Sequence, residues 1–115
     1  MHELGVVFHV IKMVEEVAVE NQLKEVSAVT LELGEVSTVI PSYLHDVWKW
    51  AVVKKSEHMQ NAELRIETLP AITYCEDCEK KYRTVPQGKI CPYCGSEHTF
   101  LIQGNEFNVK EIEGC

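Results

Sequence analysis

Four cysteines arranged in two pairs constrain the fold of this chain more than any other feature. Cys75 and Cys78 are separated by two residues, as are Cys91 and Cys94, and twelve residues separate the pairs. A two-residue gap lets both thiolates of a pair turn toward one point, and the linker is long enough for a hairpin or loop that folds one pair against the other. Gly95 follows the second pair and can adopt the positive φ that such a turn needs. The spacing is typical of a tetrahedral four-thiolate site for structural Zn²⁺, which has no open position for a substrate.

Two other chemistries fit the same cysteines: a pair of disulfides, or the iron site of a rubredoxin-like electron carrier. Disulfides persist in oxidising compartments. The N-terminal segment is not typical of a secretory signal, because Glu3 replaces the expected basic start and Glu15 and Glu16 follow the apolar run. We therefore expect a cytoplasmic, reducing environment and a metal site. A colourless preparation would exclude the iron protein.

The charge balance argues against two classes of partner. The chain has 115 residues, of which 45% are hydrophobic and 25% charged, and its formal net charge is −7. A protein that grips phosphate backbones normally has a basic patch, so we do not expect a nucleic-acid partner. No segment approaches the roughly 18 apolar residues of a membrane span, so we do not expect membrane insertion.

The apolar spacing predicts two helices and three strands. Residues 4–18 and 41–55 carry apolar stripes at helical spacing. Residues 26–34 and 63–68 alternate as half-buried strands do, and a last strand begins at about residue 107. We predict an α+β fold, in which two helices pack on a small sheet of about three strands and a zinc-ribbon-like lobe is inserted.

The order of these elements also predicts the domain organisation. Residues 1–70 would form one domain, completed by a returning C-terminal strand in residues 101–115, and residues 71–100 would form the zinc-binding lobe. Metal binding would supply much of the stability of the lobe, since structural Zn²⁺ contributes about 10–16 kcal/mol of apparent binding energy.

The sequence lacks the common catalytic motifs. It has no Gly-rich phosphate loop, no Gly-x-Ser-x-Gly elbow and no His-Glu-x-x-His. His9, His45, His58 and His98 are isolated in the sequence and are interpreted as surface or packing residues. His98 follows Cys94 closely, but four thiolates already complete a zinc site. We therefore expect no enzymatic activity and no catalytic residues.

The second residue offers a different kind of metal site. His2 places an imidazole next to the α-amino group of Met1, with the His2 amide nitrogen between them. These three nitrogens can chelate one ion in fused rings, and the amide or carboxylate of Glu3 can fill a fourth position. Square-planar nitrogen donors suit Ni²⁺ or Cu²⁺ better than tetrahedral Zn²⁺. A histidine at position two also occurs by chance, so spacing alone leaves this site a weak indication.

The whole sequence resembles the HypA/HybF family, the nickel-insertion accessory proteins of [NiFe]-hydrogenase maturation. The two cysteine pairs match, and so does the N-terminal quartet. The matching segments are Met1-His2-Glu3-Leu4, Leu31-Glu32-Leu33-Gly34-Glu35, Ala62-Glu63-Leu64-Arg65-Ile66, Gly104-Asn105-Glu106 and Val109-Lys110-Glu111-Ile112-Glu113. Gly5 departs from the Ser or Ala that is common in the family, but it is not a proposed ligand.

The resemblance implies a nickel metallochaperone. Met1, His2 and Glu3 would bind Ni²⁺ as transferable cargo, and the four cysteines would hold structural Zn²⁺. The implied partners are the HypB GTPase and the hydrogenase large subunit, with urease maturation proteins as further partners of some members. A homodimer is compatible with the sequence.

The rival interpretation is a zinc-ribbon adaptor, a protein-interaction module without transferable metal. Zinc lobes often serve as protein-binding platforms, and the acidic charge favours protein over nucleic acid. The N-terminus separates the two hypotheses, because an adaptor has no need of a free Met-His start and should tolerate an N-terminal tag.

Overall fold

The structure is a computed structural model that describes residues 3–115, with Glu3 described by its backbone alone. The predicted nickel ligands Met1 and His2, together with the side chain of Glu3, lie outside the described residues. The elements follow one another as α1 (Glu3–Glu20), β1 (Val26–Gly34), α2 (Pro41–Lys55), β2 (Glu63–Leu69), β3 (Ile72–Cys75), β4 (Lys81–Arg83), α3 (Thr84–Gln87), β5 (Thr99–Gln103) and β6 (Phe107–Gly114).

The chain divides into two compact units. We call the first the helical unit; it comprises residues 38–67, residues 108–115 and the described part of residues 1–32. We call the second the cysteine unit; it comprises residues 33–37 and 68–107.

The helical unit is built on a conventional apolar core. α1 buries a stripe of residues at spacings of three and four, which is the period of one helix face. α2 begins at Pro41, where the missing N–H costs nothing, and buries Leu44, Trp48, Ala51 and Val52. The buried residues of α1 are Val6, Val7, Val10, Ile11, Val14 and Ala18. The two helices pack against each other.

The sheet that includes β1 has the strand order β2-β1-β6, so β1 is its central strand. β1 was expected to be half-buried, but the structure buries side chains on both of its faces, including Thr30 and the adjacent Val29 and Leu31. Burial of the second face is incomplete, since Ser27 is exposed and Glu32 is half-buried, and the alternating sequence did not reveal it.

The segment that joins α2 to β2 is fixed by polar contacts. The Nε1–H of Trp48 donates to the Ala62 carbonyl oxygen at 2.9 Å. Glu15 on α1 accepts hydrogen bonds from the backbone N–H groups of Glu57 and His58 through Oε1, at 3.0 and 2.9 Å. Its Oε2 lies 2.5 Å from Nδ1 of His58. One carboxylate thus attaches this connection to α1.

The cysteine unit contains a second antiparallel sheet, in the order β4-β3-β5. Tyr74 lies opposite Lys81 on one side and opposite Phe100 on the other. The sequence predicted only a hairpin or loop between the cysteine pairs, so this sheet is a feature it missed. Residues 101–103 belong to β5 of this sheet, and the strand that returns to β1 begins at Phe107.

Two glycines meet within the cysteine unit. A Cβ on Gly34 would lie 1.9 Å from the carbonyl oxygen of Gly104, and a Cβ on Gly104 would lie 2.6 Å from the Cα of Ala71. Gly34 donates its N–H to the carbonyl oxygen of Glu106 at 2.8 Å, and Val36 donates to that of Gly104 at 2.9 Å. Only glycine allows the two backbones to approach so closely.

The predicted fold class is confirmed. The structure is α+β, with two main helices, a three-stranded sheet and a separate small sheet around the cysteines. The predicted helix over 41–55 and strand over 26–34 match the observed bounds, and the first helix extends two residues further at its C-terminal end than predicted. Among the described residues, no helix is long and apolar enough to cross a membrane.

Candidate metal centre

The four cysteine sulfur atoms converge on one point. All lie within 4.8 Å of one another, and the Sγ atoms of Cys75 and Cys94, like those of Cys78 and Cys91, are 3.6 Å apart. Four sulfur atoms at the usual Zn–S distance of about 2.3 Å from a tetrahedral ion are about 3.8 Å apart. The thiols are free. The four sulfur donors and their spacing therefore fit a four-thiolate zinc site. The sulfur atoms are too far apart to be joined as disulfides.

Each cysteine pair lies in a turn whose hydrogen bonds direct both thiols to the same side. In the first turn, Cys75 donates its N–H to the Lys80 carbonyl oxygen at 3.0 Å, and Glu79 donates to the Cys75 carbonyl oxygen at 2.9 Å. Glu79 has φ of 59°, in the left-handed region that non-glycine residues seldom adopt.

The second turn repeats the first. Cys91 donates its N–H to the Ser96 carbonyl oxygen at 3.0 Å, and Gly95 donates to the Cys91 carbonyl oxygen at 2.8 Å. Gly95 has φ of 75° and stands four residues after Cys91, as Glu79 stands four residues after Cys75. The two turns therefore share one backbone geometry, with glycine at the left-handed position in the second turn only.

A carboxylate from the first turn holds the second turn in place. Asp77 accepts a hydrogen bond from the Ser96 hydroxyl and a second contact from Nδ1 of His98, at 3.1 Å. The hydroxyl and imidazole bonds lower the pKa of Asp77, with the Ser96 hydroxyl as the largest cause. Glu76 adds a backbone bond by donating its N–H to the His98 carbonyl oxygen at 2.9 Å. These contacts fix the relative position of the two thiol pairs.

The site is buried on one side and open on the other. Cys75 and Cys91 are buried and pack with Tyr82, whereas Cys78 is half-buried and Cys94 is exposed. The Tyr82 hydroxyl donates to the Gly88 carbonyl oxygen at 2.8 Å, so this aromatic ring is fixed at both ends. Two of the ligands thus belong to the small core of their own unit.

The pKa values of the cysteine thiols differ within the cluster. Burial raises the pKa of the Cys91 thiol, but backbone amides of Tyr93 and Cys94 lower it more, to about 7. The Ser96 amide lowers the pKa of Cys94, but burial and the neighbouring sulfur atoms raise it to about 12. Backbone N–H groups therefore favour the thiolate at Cys91, and a bound divalent cation would stabilise the remaining thiolates.

The histidines of the described residues stand outside this cluster. His98 contacts Asp77, which the sequence did not predict, and the four sulfur atoms form the group that could hold a metal. His58 pairs with Glu15 in the helical unit. Sequence reasoning missed three residues that shape the site: Asp77, Ser96 and the left-handed Glu79. The Asp inside the first cysteine pair and the Ser after the second pair could have indicated two of them.

Comparison with known proteins identifies the family. A family model described as "Hydrogenase/urease nickel incorporation, metallochaperone, hypA" matches residues 1–114. The chain belongs to the HypA family.

Relatives of the family match along nearly their whole length. The hydrogenase maturation factor HypA of Actinobacillus succinogenes is 32% identical over 112 residues, covering 97% of each chain. The hydrogenase maturation factor HybF of Klebsiella pneumoniae is 30% identical over 114 residues, covering 99% of each. The solution structure of the Ni metallochaperone HypA from Helicobacter pylori is 27% identical and superposes with a TM-score of 0.73, covering 99% of this chain and 97% of that one. The predicted HypA/HybF resemblance is confirmed, and with it membership of a family of nickel metallochaperones for hydrogenase maturation.

Proposed function

We propose that this HypA-family protein binds Ni²⁺ at its N-terminus and delivers it for assembly of the [NiFe]-hydrogenase active site. Met1, His2 and Glu3 are the proposed nickel ligands, and Cys75, Cys78, Cys91 and Cys94 the proposed structural zinc ligands. The observation that carries the proposal is the match of residues 1–114 to a family of nickel incorporation, in a chain that begins Met-His-Glu.

The beginning of α1 favours a chelate at this position. α1 starts at Glu3, and the first four N–H groups of a helix have no acceptor inside the helix. Amide nitrogens there can become ligands without breaking helical hydrogen bonds. A bare dication would be disfavoured by the positive end of the helix dipole. Ionised amide ligands cancel much of the metal charge, which removes this objection.

The chemistry of the ligands also suits release. Binding displaces protons from an α-amine, with an ordinary pKa of about 7.7–8.0, and from an imidazole, at about 6.5. Acidification should therefore weaken nickel binding. Because Cu²⁺ has the higher intrinsic affinity for such donors, selectivity for nickel would come from metal supply and from contact with the partner.

We infer that the protein acts in the cytoplasm together with other maturation proteins. HypB GTPase would act with the protein, the hydrogenase large subunit would receive nickel, and urease maturation proteins and a second copy of the chain are further candidates. Free thiols and a delivery role fit the cytoplasm. No catalytic step is assigned to the protein.

Nickel titration by calorimetry tests the proposal. We expect near-stoichiometric binding to the untagged protein, and loss of binding when one residue precedes Met1 or when His2→Ala is introduced. Zinc content and far-ultraviolet circular dichroism should stay unchanged in both variants. Equal binding with and without the extension would place nickel elsewhere.

The zinc-ribbon adaptor remains the alternative function. It is favoured by one observation, the closed four-thiolate geometry, which suits a structural ion and not a transferable one. Absence of nickel binding in the untagged protein and in its variants alike would support the adaptor.

A further inference from the structure

One face of the sheet in the cysteine unit is apolar and remains exposed. Tyr74 lies opposite Phe100 in the register, and their ring centroids are 5.4 Å apart. Phe100 is 48% exposed, and Ile102, which the register irregularity in β5 leaves without a partner on β3, is 42% exposed. Aromatic and aliphatic side chains that share a sheet face normally pack against something.

The same face carries positive charge along β4. Lys81 lies opposite Tyr74, and Arg83 lies opposite Ile72, so both cations share the face of those residues. Both side chains are exposed. A groove of about 520 Å³ runs beside them, with Ile72 and Tyr93 in its lining. Lys81 and Arg83 therefore line a groove together with apolar and aromatic side chains.

This positive charge is unusual in an acidic protein. Residues 80–96 contain Lys80, Lys81, Arg83 and Lys89 and no aspartate or glutamate, although the chain as a whole carries a formal charge of −7. Glu35 lies 3.5 Å from Arg83 and offsets part of its charge. Within the described part of the chain, Lys81 has no acidic side chain at ion-pair distance.

β4 also presents an unpaired backbone edge. It is the outer strand in the order β4-β3-β5. The edge of a sheet offers N–H and C=O groups to an added strand, and side-chain pockets beside it then select the sequence of that strand. An edge, a groove and two cations at one place make up the elements of a peptide-binding site.

We propose that this face binds an acidic, extended segment of a partner protein. Aspartate or glutamate side chains of the segment would pair with Lys81 and Arg83, and an apolar side chain would enter the groove beside Ile72 and Tyr93. The complementarity of charge selects the occupant, since a neutral apolar segment would offer no partner to Lys81 or to the part of the Arg83 charge that Glu35 leaves. Docking of a partner at this face does not depend on nickel binding at the N-terminus.

A peptide selection tests the proposal without knowledge of the partner. A phage-displayed library of random peptides is panned on the zinc-loaded full-length protein, and selected peptides are resynthesised with a fluorescent label. We expect enrichment of aspartate and glutamate around an apolar residue. Binding measured by fluorescence anisotropy should weaken as salt concentration rises. Selected peptides without acidic enrichment, or no selected peptide, would overturn the proposal.

Variants then locate the site. Lys81→Glu with Arg83→Glu should weaken binding of the selected peptide by about tenfold or more, and Lys81→Gln with Arg83→Gln should weaken it less. Lys24→Glu with Lys54→Glu changes the net charge equally within the helical unit and should leave affinity unchanged. Zinc content confirms that each variant folds. Unchanged affinity in both β4 variants would overturn the proposal, as would tighter binding of oligothymidylate than of any selected peptide.

Discussion

The two cysteine turns share a backbone geometry but differ at one residue, and this difference yields a quantitative prediction. Gly95 occupies the left-handed position of the second turn, with φ of 75°. A Cβ built on Gly95 meets no atom within 4 Å, so substitution by alanine introduces backbone strain without a steric clash. Gly95→Ala therefore isolates the energetic cost of the left-handed conformation.

The magnitude follows from two opposing terms. An L-residue in the left-handed region costs about 1–2 kcal/mol. Alanine also reduces the entropy of the unfolded chain, which raises the free energy of unfolding by about 0.4–1 kcal/mol. The net destabilisation of the folded cysteine unit should be about 1 kcal/mol, a factor of about five in an equilibrium constant. Because metal binding and folding of such a unit are coupled, the same factor should appear in the apparent zinc affinity.

Competition with a chromophoric zinc chelator measures this affinity. Gly95→Ala should bind zinc about fivefold more weakly than the wild-type protein. Glu79→Gly changes the equivalent position of the first turn in the opposite sense, so by the same two terms its zinc affinity should be up to about fivefold higher. Gly5→Ala is the control, because Gly5 lies in α1 with no atom within 4 Å of a built Cβ. Equal affinities of wild type and Gly95→Ala would refute the argument from backbone strain.

Two further predictions concern stability. Burial raises the pKa of Glu15, but its hydrogen bonds to His58 and to the N–H of Glu57 lower it overall. The stability that Glu15 contributes is therefore present above its unfolded-state pKa of 4.5 and is lost as pH falls through the lower folded-state value. Glu15→Gln should cost about 1–3 kcal/mol at neutral pH and almost nothing at strongly acidic pH, measured by urea unfolding followed by tryptophan fluorescence. Gly34→Ala should cost about 3 kcal/mol or more, because its Cβ would overlap the Gly104 carbonyl oxygen; a melting temperature as high as that of wild type or of Gly5→Ala would contradict this.

Sequence periodicity predicted the helical unit well because its core is large and regular. Most residues that the spacing indicated are buried: Val7, Ile11, Val14, Ala18, Leu44, Trp48, Ala51 and Val52. Leu4 is exposed, however, and Phe8 and Val47 are half-buried. Val6 and Val10 are buried although the predicted stripe left them out, and Gly34 ends β1 as expected. The burial of β1 on both faces was missed, since it depends on the side chains that pack over each face and a local pattern carries no such information.

The ligands of the candidate metal centre could be predicted from the sequence, but the contacts that hold the two cysteine turns together could not. Spacing of the cysteines gave the donor set, whereas the Asp77–Ser96 contact joins residues 19 positions apart that no short motif connects. The segments around Gly34 and Gly104 were noted separately as family motifs. Their contact, with Gly34 donating to Glu106, explains why both contain glycine.

The cysteine unit has too little apolar core to fold by hydrophobic burial alone. Among the described residues, its buried hydrophobic side chains are those of Leu33, Ala71, Cys75, Tyr82 and Cys91, two of which are the metal ligands themselves. The remaining buried hydrophobic residues of the chain belong to the helical unit. A unit of this size normally needs a metal or disulfides for stability.

Removal of metal should therefore unfold one unit and spare the other. A strong chelator should abolish amide protection in residues 68–107, because the cysteines lose the ion that holds them together and the small core cannot replace the roughly 10–16 kcal/mol that zinc contributes. Trp48 and Trp50 both lie in the helical unit, so their fluorescence should hardly change. Hydrogen exchange followed by mass spectrometry separates the two responses. Protection of residues 68–107 that survives chelation would mean that the cysteine unit folds without metal, and the structural role assigned to the four cysteines would then be wrong.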